Sequence, residues 1–209
     1  MSGKRVPLTA QWLGLALIVG LLPARAEAHT ALQSMGSFWA GVAHLLTSFD
    51  QVGFLLGLAI WTRFHEQRLD ALVIAAAFVA VNAGAFIGAA FVQPNTFDLT
   101  GPLAALLIIV GAAGAARLRT GAAALIGVTA IGGAMAGSVA ADAAAGFTLA
   151  LFAAGGGLAA SAVLSYGLLA MRRVEVEWGY IALRAGSSWV AAIGLMVLAL
   201  AIARHFGRV

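Results

Sequence analysis

The stretch that decides the fold is ALVIAAAFVAVNAGAFIGAAFV, residues 71–92, in which Asn82 is the only strongly polar side chain. A helix needs about 20 apolar residues to cross the hydrocarbon core of a bilayer. The stretch lacks the alternation of polar and apolar residues that is typical of a membrane β-strand. Because backbone groups in lipid must pair within their own segment, residues 71–92 are predicted to form a transmembrane α-helix.

The whole chain shares this character. Hydrophobic residues make up 62% and charged residues 10% of its 209 residues, whereas soluble domains have about 45–50% and about 25%. A soluble domain could not cover its surface with so few charges, so the composition predicts an integral membrane protein surrounded by a lipid bilayer. Cysteine is absent, which excludes disulfides, cysteine zinc sites and iron–sulfur clusters.

Residues 1–28 have the features of a cleavable secretory signal. A basic start at Lys4 and Arg5 precedes an apolar core, and the segment ends on the small-x-small sequence Ala26-Glu27-Ala28. This pattern predicts cleavage before His29 and a mature membrane domain of residues 29–209. The alternative is an uncleaved first transmembrane helix.

The mature chain divides into six apolar segments separated by short polar loops. These segments are residues 37–62, 71–92, 102–116, 121–140, 146–171 and 181–203, of which the third is the shortest. The sequence therefore predicts an all-α, polytopic membrane protein with a six-helix transmembrane bundle. Small residues four positions apart, such as Gly84 and Gly88 or Gly133 and Gly137, predict close helix packing without deciding which helices pair.

The arginines are concentrated in alternate loops. The first, third and fifth loops carry Arg63 and Arg68, Arg117 and Arg119, and Arg172 and Arg173, whereas the second and fourth loops carry no lysine or arginine. The positive-inside rule predicts that the odd loops are cytoplasmic and that the mature amino terminus lies outside. Since the basic residues flank apolar segments, the net charge of +4 does not indicate nucleic-acid binding.

The first apolar segment holds the polar residues that are most expensive to bury in lipid, among them His44, Asp50 and Gln51. In one regular helix His44 and Gln51 would share a face, while Asp50 would point about 120° away from His44. A bend near Gly41 or Gly53, or ligands from other helices, would be needed for His44 and Asp50 to hold one ion. The alternative is that these side chains only hydrogen-bond neighbouring helices.

The same segment also carries a family-like motif. His29-Thr30 is followed by Phe38-x-x-Gly41-x-x-His44 and then by Gly57-x-x-x-Trp61. Together with Asp50, this pattern resembles the HupE/UreJ family of nickel or cobalt permeases, whose first helix contains His-Pro-x-x-Gly-x-Asp-His.

The chain departs from the family pattern at several positions. Leu45, Ser48 and Gln51 stand in place of the proline, the glycine and the second histidine. Residues 131–137, where the family has another histidine-rich motif, contain no histidine or glutamate. These departures favour a divergent member of the family.

The resemblance implies a permease of the bacterial cytoplasmic membrane that carries Ni²⁺ or Co²⁺ inward as its substrate and needs no cofactor. The implied entry site consists of His44, Asp50 and Gln51. Imidazole nitrogen with carboxylate or amide support suits these metals.

Three further residues are predicted to gather the ion on the outer side. After cleavage, His29 would present its amino group and its imidazole together, and Asp98 and Asp142 are predicted to lie in the two outer loops. His65, by contrast, is expected at the cytoplasmic surface.

An enzymatic function is not predicted. His44 and Ser138 are the only candidates for an intramembrane protease pair, and Ser138 lacks a nucleophile motif. The alternative to a permease is a non-transporting accessory or structural subunit that assembles with itself or with a membrane complex, and the missing histidines favour this reading.

The charge bias predicts the topology directly. Reporter fusions after Arg68, Arg119 and Arg173 should be active on the cytoplasmic side, and fusions after Asn95 and Asp142 should be active outside. Paired alkaline phosphatase and fluorescent-protein fusions measure this. An inverted pattern would contradict both the orientation and the outer gathering site.

Overall fold

The computed structural model describes residues 36–91, 99–144 and 148–207. Within these ranges the chain forms seven α-helices and no β-strand. The helices are α1 Ser37–Thr47, α2 Phe49–Arg63, α3 Arg68–Phe91, α4 Thr100–Ala115, α5 Ala122–Ala143, α6 Leu149–Arg172 and α7 Glu177–His205. The all-helical prediction is confirmed for this part of the chain. The predicted signal segment 1–28, His29 and Asp98 lie outside the described residues.

Four helices, α3, α5, α6 and α7, are long and apolar enough to cross a membrane. Helices α1 and α2 meet at a bend of 72° and make a fifth candidate if the pair is counted as one span. Helix α4 has 16 residues and is therefore about 24 Å long, shorter than the roughly 30 Å hydrocarbon core. Helix α4 is apolar, and only its length separates it from the other candidates.

Helix α2 lies at the centre of the bundle. It contacts every other described helix, and residues on all its sides are buried, including Phe54, Leu58 and Trp61. Phe54, Leu58 and Val110 of α4 belong to one continuous core cluster to which α6 also contributes Leu164. A helix that is apolar all round belongs in the interior of a bundle, as observed here.

The three basic loops meet at one end of the bundle. Trp61 at the end of α2 donates a hydrogen bond to the carbonyl of Leu118, which follows α4, at 2.8 Å. Arg63 donates to the carbonyl of Met171 at the end of α6, at 2.9 Å. The ends of α2, α4 and α6 therefore lie together, and we call this region the basic end. Helices α3, α5 and α7 start from it and run back.

Glycines set the spacing between α3 and α5, the most closely packed pair of helices. A Cβ atom on Gly88 of α3 would lie 2.8 Å from the Cα atom and the carbonyl oxygen of Ser138 in α5. A Cβ atom on Gly137 of α5 would in turn meet the carbonyl oxygen of Val81. The contacts advance together along both chains, so the two helices are parallel. The predicted small-residue spacings thus form one interface in which the two backbones touch.

Two other helix pairs also approach closely at glycine residues. A Cβ atom on Gly111 of α4 would lie 2.8 Å from the Cα atom of Ala191 in α7, and one on Gly194 would lie 2.8 Å from the carbonyl oxygen of Ala104. In the α1–α6 pair, Gly41 faces the carbonyl oxygen of Phe152. The bundle is therefore assembled from pairs of helices whose backbones approach closely.

The α3–α5 contact predicts a difference between two glycine substitutions in α5. Gly137→Ala should destabilise the protein by roughly 1–3 kcal/mol, because the added methyl group overpacks the interface with α3. Gly127→Ala should be neutral or stabilising, since nothing lies within 4 Å of its Cβ position and alanine is the better helix former. Thermal unfolding in detergent, followed by circular dichroism, measures both. Equal stability of the two variants would contradict the parallel α3–α5 contact.

Candidate functional site

The first apolar segment is not one helix. The chain leaves helical geometry at Ser48, where φ is −84° and ψ is 95°, so the predicted span over residues 37–62 consists of two helices that meet at a bend. The Ser48 hydroxyl donates to the carbonyl of His44 at 2.7 Å, and Thr47 donates to the carbonyl of Ala43 at 2.8 Å. The Thr47 bond lies within the last turn of α1, whereas the Ser48 bond back to α1 competes with continuation of the helix.

Gly41 and Gly53, near which a bend was expected, pack against neighbouring helices instead. Gly41 lies against the backbone of α6, and a Cβ atom on Gly53 would come within 3.3 Å of Leu107 in α4. Gly41 is needed for the close approach of α1 and α6, and both glycines lie within regular helices. The bend lies between them at Ser48, which brings the end of α1 and the start of α2 to one place.

His44 lies in the last turn of α1 and faces α6. Its ring packs against Phe152, with the ring centroids 5.7 Å apart. Its Nε2 atom is buried and has no hydrogen-bond partner among the residues that the structure describes. A buried polar atom of this kind costs free energy unless a partner is supplied. The imidazole is therefore available to a ligand that reaches the bend.

Asp50 and Gln51 begin α2 on the other side of the bend. Asp50 is half-buried and close enough to His44 for their charges to interact. One of its carboxylate oxygens accepts the backbone N–H of Gln51 at 2.9 Å. Gln51 itself is only 2% exposed. The bend thus removes the regular-helix constraint that would have kept His44 and Asp50 apart.

Of the other predicted ligands, His29 and Asp98 lie outside the described residues, and only the backbone position of Asp142 is described. Asp142, predicted in an outer loop, instead lies in the last turn of α5 because the helix continues to Ala143. Within the described ranges, no group of three or more His, Asp or Glu side chains could hold a metal ion. Ser138, the candidate protease nucleophile, donates to the carbonyls of Gly84 and Ala134 at 3.1 and 2.9 Å and has a packing role.

The basic end contains an ion pair that the sequence did not reveal. Arg172 forms a bidentate pair with Asp70, with N–O distances of 3.0 and 2.6 Å. The same guanidinium donates to the carbonyls of Arg63 and His65, both at 3.1 Å. These carbonyls belong to the end of α2, where no intrahelical partner exists. Arg172 therefore joins α2, α3 and α6.

Other arginines bridge helix ends in the same way. Arg119 donates to the carbonyl of Phe64 at 2.8 Å, and Arg184 of α7 donates to the carbonyl of Ala115 at 2.8 Å. Arg63 also donates to the hydroxyl of Tyr180 at 3.0 Å. The charges that predicted the topology thus also complete the hydrogen bonding of the helix ends.

Helix α4 ends on a left-handed arginine. Arg117 has a φ of 53°, its N–H donates to the carbonyl of Gly114, and the N–H of Leu118 donates to the carbonyl of Ala113. This is the Schellman pattern, in which glycine is the usual residue. The Arg117 side chain stacks over the rings of Phe64 and Tyr180 at 5.4 and 5.3 Å, an attraction that favours arginine at this position.

His65 was expected at the surface, and this prediction is wrong. The residue is 9% exposed. Its Nε2 accepts the backbone N–H of Thr120 at 3.1 Å, so Nδ1 carries the proton and donates to the carbonyl of Trp61 at 3.1 Å. His65 therefore joins the α2–α3 loop to the α4–α5 loop. The sequence did not indicate this role for two reasons. The neighbours of His65 in the sequence are charged, and the loop that covers it lies 55 residues away.

No family model, no curated protein and no solved structure matches this chain. A functional assignment therefore depends on the residues and their geometry.

The Arg172–Asp70 pair predicts a stability difference between two acidic residues. Asp70→Asn should destabilise the protein by roughly 2 kcal/mol or more, because it leaves a partly buried arginine without its counter-charge. The pair is 18% and 17% exposed. Glu66→Gln breaks a pair whose side chains are 78% and 68% exposed and should cost less than about 1 kcal/mol. Chemical unfolding in mixed micelles measures both. Similar losses in the two variants would contradict a special role for Arg172.

Proposed function

We propose that the protein is a permease for a divalent transition-metal cation, with Ni²⁺ or Co²⁺ as substrate. In this proposal the α1–α2 pair, α3, α4, α5, α6 and α7 form six spans in a bacterial cytoplasmic membrane. The basic end faces the cytoplasm and the bend at Ser48 faces the outer side. The ion enters at the bend.

The observation that carries the proposal is the buried Nε2 atom of His44, which has no described hydrogen-bond partner and lies within electrostatic reach of Asp50. An imidazole and a carboxylate together replace part of the hydration shell that an incoming divalent ion gives up. Polar residues at membrane depth are expensive, so they are found where they serve an ion or a partner group.

The broken helix supports the same reading. Membrane transporters bind ions where a helix is interrupted, because carbonyl groups at the end of a half-helix can face a cation. Helix α1 ends at Thr47 with its carbonyl end toward the bend. Ser48, at which the helix breaks, occupies the position of the glycine in the HupE/UreJ pattern. At Ser48, where the sequence departs from the family motif, the helix is interrupted.

The depth of the bend is consistent with an outer entry site. Helix α2 has 15 residues between Ser48 and the basic end, so the bend lies about 22 Å from that end. Trp39 and Phe49, exposed on both sides of the bend, suit the interface between the hydrocarbon and the headgroups. His29, Asp98 and Asp142 remain proposed as residues that gather the ion above this point.

A second candidate function is an accessory subunit that does not transport. This function is favoured by helix α7. Only 11% of its most apolar 18-residue stretch is buried inside the bundle, compared with 39–44% of the corresponding stretches in α3, α5 and α6. Large apolar side chains, including Trp189, Ile193 and Met196, cover this exposed surface. Either lipid or a second membrane protein, such as another copy of this chain, would cover it.

Metal uptake by variants of the bend distinguishes the two functions. His44→Ala and Asp50→Asn should each reduce uptake of labelled nickel or cobalt to the level of cells with an empty vector, because each removes a proposed ligand. Gln51→His should increase metal binding, because it adds an imidazole next to Asp50. Accumulation of each metal by cells that express the variants measures this.

Thr47→Ala is the matched control, because Thr47 is exposed and, among the described residues, its hydroxyl bonds only to the carbonyls of Ala43 and His44. It should retain most of the uptake. Immunoblots of membrane fractions must show equal amounts of every variant. If the wild-type protein takes up no more metal than the empty-vector control, the permease proposal is wrong and the accessory role is favoured.

A further inference from the structure

A small cavity opens at the basic end between the α2–α3 loop and the α4–α5 loop. Its volume is about 270 Å³. The main polar residues that line it are His65, Arg68, Arg119 and Thr120. The bend at Ser48 and the entry site lie at the opposite end of α2, so the cavity is separate from the proposed entry site.

The cavity is positively charged. Arg68 and Arg119 contribute two guanidinium groups, and Glu66 is the only acidic side chain in the lining. Glu66 pairs with Arg68, but both side chains are largely exposed, so the pair is weak in water. The lining therefore keeps a net positive charge that attracts an anion.

Arg119 lines the cavity with an exposed guanidinium group that is fixed at one of its three nitrogens. Its Nε atom is fixed by the carbonyl of Phe64 at 2.8 Å. In the part of the chain that the structure describes, its two terminal nitrogens donate to no other group. A guanidinium held at Nε presents these nitrogens as a planar fork, which matches the geometry of phosphate oxygens.

A hydrogen bond between two lining residues, Thr120 and His65, fixes another part of the cavity wall. Thr120 donates its backbone N–H to the Nε2 atom of the buried His65 at 3.1 Å, and this bond ties the two loops together. Gly121 and Ala122, which start the 22-residue helix α5, complete the wall. The positive end of the α5 dipole adds to the field of the arginines.

An apolar surface continues from the cavity along the bundle. Leu72 of α3 is 52% exposed, and Ala123 and Ala124 at the start of α5 are exposed as well. An anion with acyl chains could place its charge against Arg68 and Arg119 and its chains along α3 and α5. A free anion would gain nothing from this apolar surface.

We propose that this cavity binds the phosphate group of an anionic phospholipid at the basic end. Basic residues between transmembrane helices recognise such headgroups by charge and by hydrogen bonds to the phosphate oxygens. The inference needs only the membrane location of the bundle and is independent of metal transport. The bound lipid would hold together the α2–α3 and α4–α5 loops, which are already joined through His65.

Lipid titration of the full chain tests the proposal. The purified protein, in a neutral detergent, is titrated with phosphatidylglycerol and with phosphatidylcholine, and bound lipid is counted by native mass spectrometry. Phosphatidylglycerol should bind at least about fivefold more tightly than phosphatidylcholine. The Arg68→Gln substitution should weaken the binding of phosphatidylglycerol about fivefold. Arg68 is largely exposed, so its substitution should leave the fold intact.

Two further variants act as controls. Arg173→Gln removes the same charge from an exposed arginine of the basic end that does not line the cavity and should leave the affinity unchanged. Glu66→Gln removes the acidic residue of the cavity and should increase the affinity. Equal losses in Arg68→Gln and Arg173→Gln, or no preference for phosphatidylglycerol, would overturn the proposal.

A separate arm identifies the source of the phosphate. Inorganic phosphate and glycerophosphoglycerol are added as competitors of phosphatidylglycerol. The acyl chains should make the lipid bind more tightly than either competitor, because only the lipid covers Leu72 and the neighbouring alanines. Displacement at equal concentrations would show that the cavity binds a free anion, and the lipid proposal would then be wrong.

Discussion

Arg172 makes the interaction on which the arrangement of this bundle depends. Helix α2 is buried at its centre, so the carbonyl groups at its end cannot all be left to water. Arg172, from the end of α6, donates to two of them and pairs with Asp70 at the start of α3. One side chain therefore completes the hydrogen bonding of the central helix and fixes two neighbouring helices against it.

Close backbone contact supplies the rest of the packing. Lipid chains are as apolar as leucine, so the hydrophobic effect gives helices in a bilayer little reason to associate. At three interfaces, glycines allow the backbones of two helices to come into contact, which increases the packing between them. Gly137 does so against Val81 and Gly41 against Phe152. Gly41 and Gly53 lie within regular helices, and the first segment bends between them at Ser48, whose hydroxyl bonds back to the carbonyl of His44.

Buried polar atoms without a described hydrogen-bond partner occur at both ends of α2, at Nε2 of His44 and at Oγ1 of Thr62. At the basic end, arginines from several loops donate to carbonyls of neighbouring helices, and His65 uses both of its ring nitrogens. At the bend, the Nε2 atom of His44 is buried without a described partner. A polar group left unpaired near the surface of a bundle is the kind of feature that an ion or a ligand completes. The bonds of the arginines and of His65 give the basic end a structural role, and the unpaired Nε2 atom of His44 supports the entry site proposed at the bend.

The sequence by itself determined the all-helical membrane class, the approximate limits of the apolar segments and the alternation of basic loops, because each depends on composition over a local window. It also identified His44, Asp50 and Gln51 as unusual residues for lipid. Only the tertiary structure decided that α3 pairs with α5, that the chain breaks at Ser48 and that His65 is buried. The α3–α5 pairing and the burial of His65 depend on contacts between residues far apart in the chain, and the break at Ser48 depends on a local bond of its side chain to the carbonyl of His44.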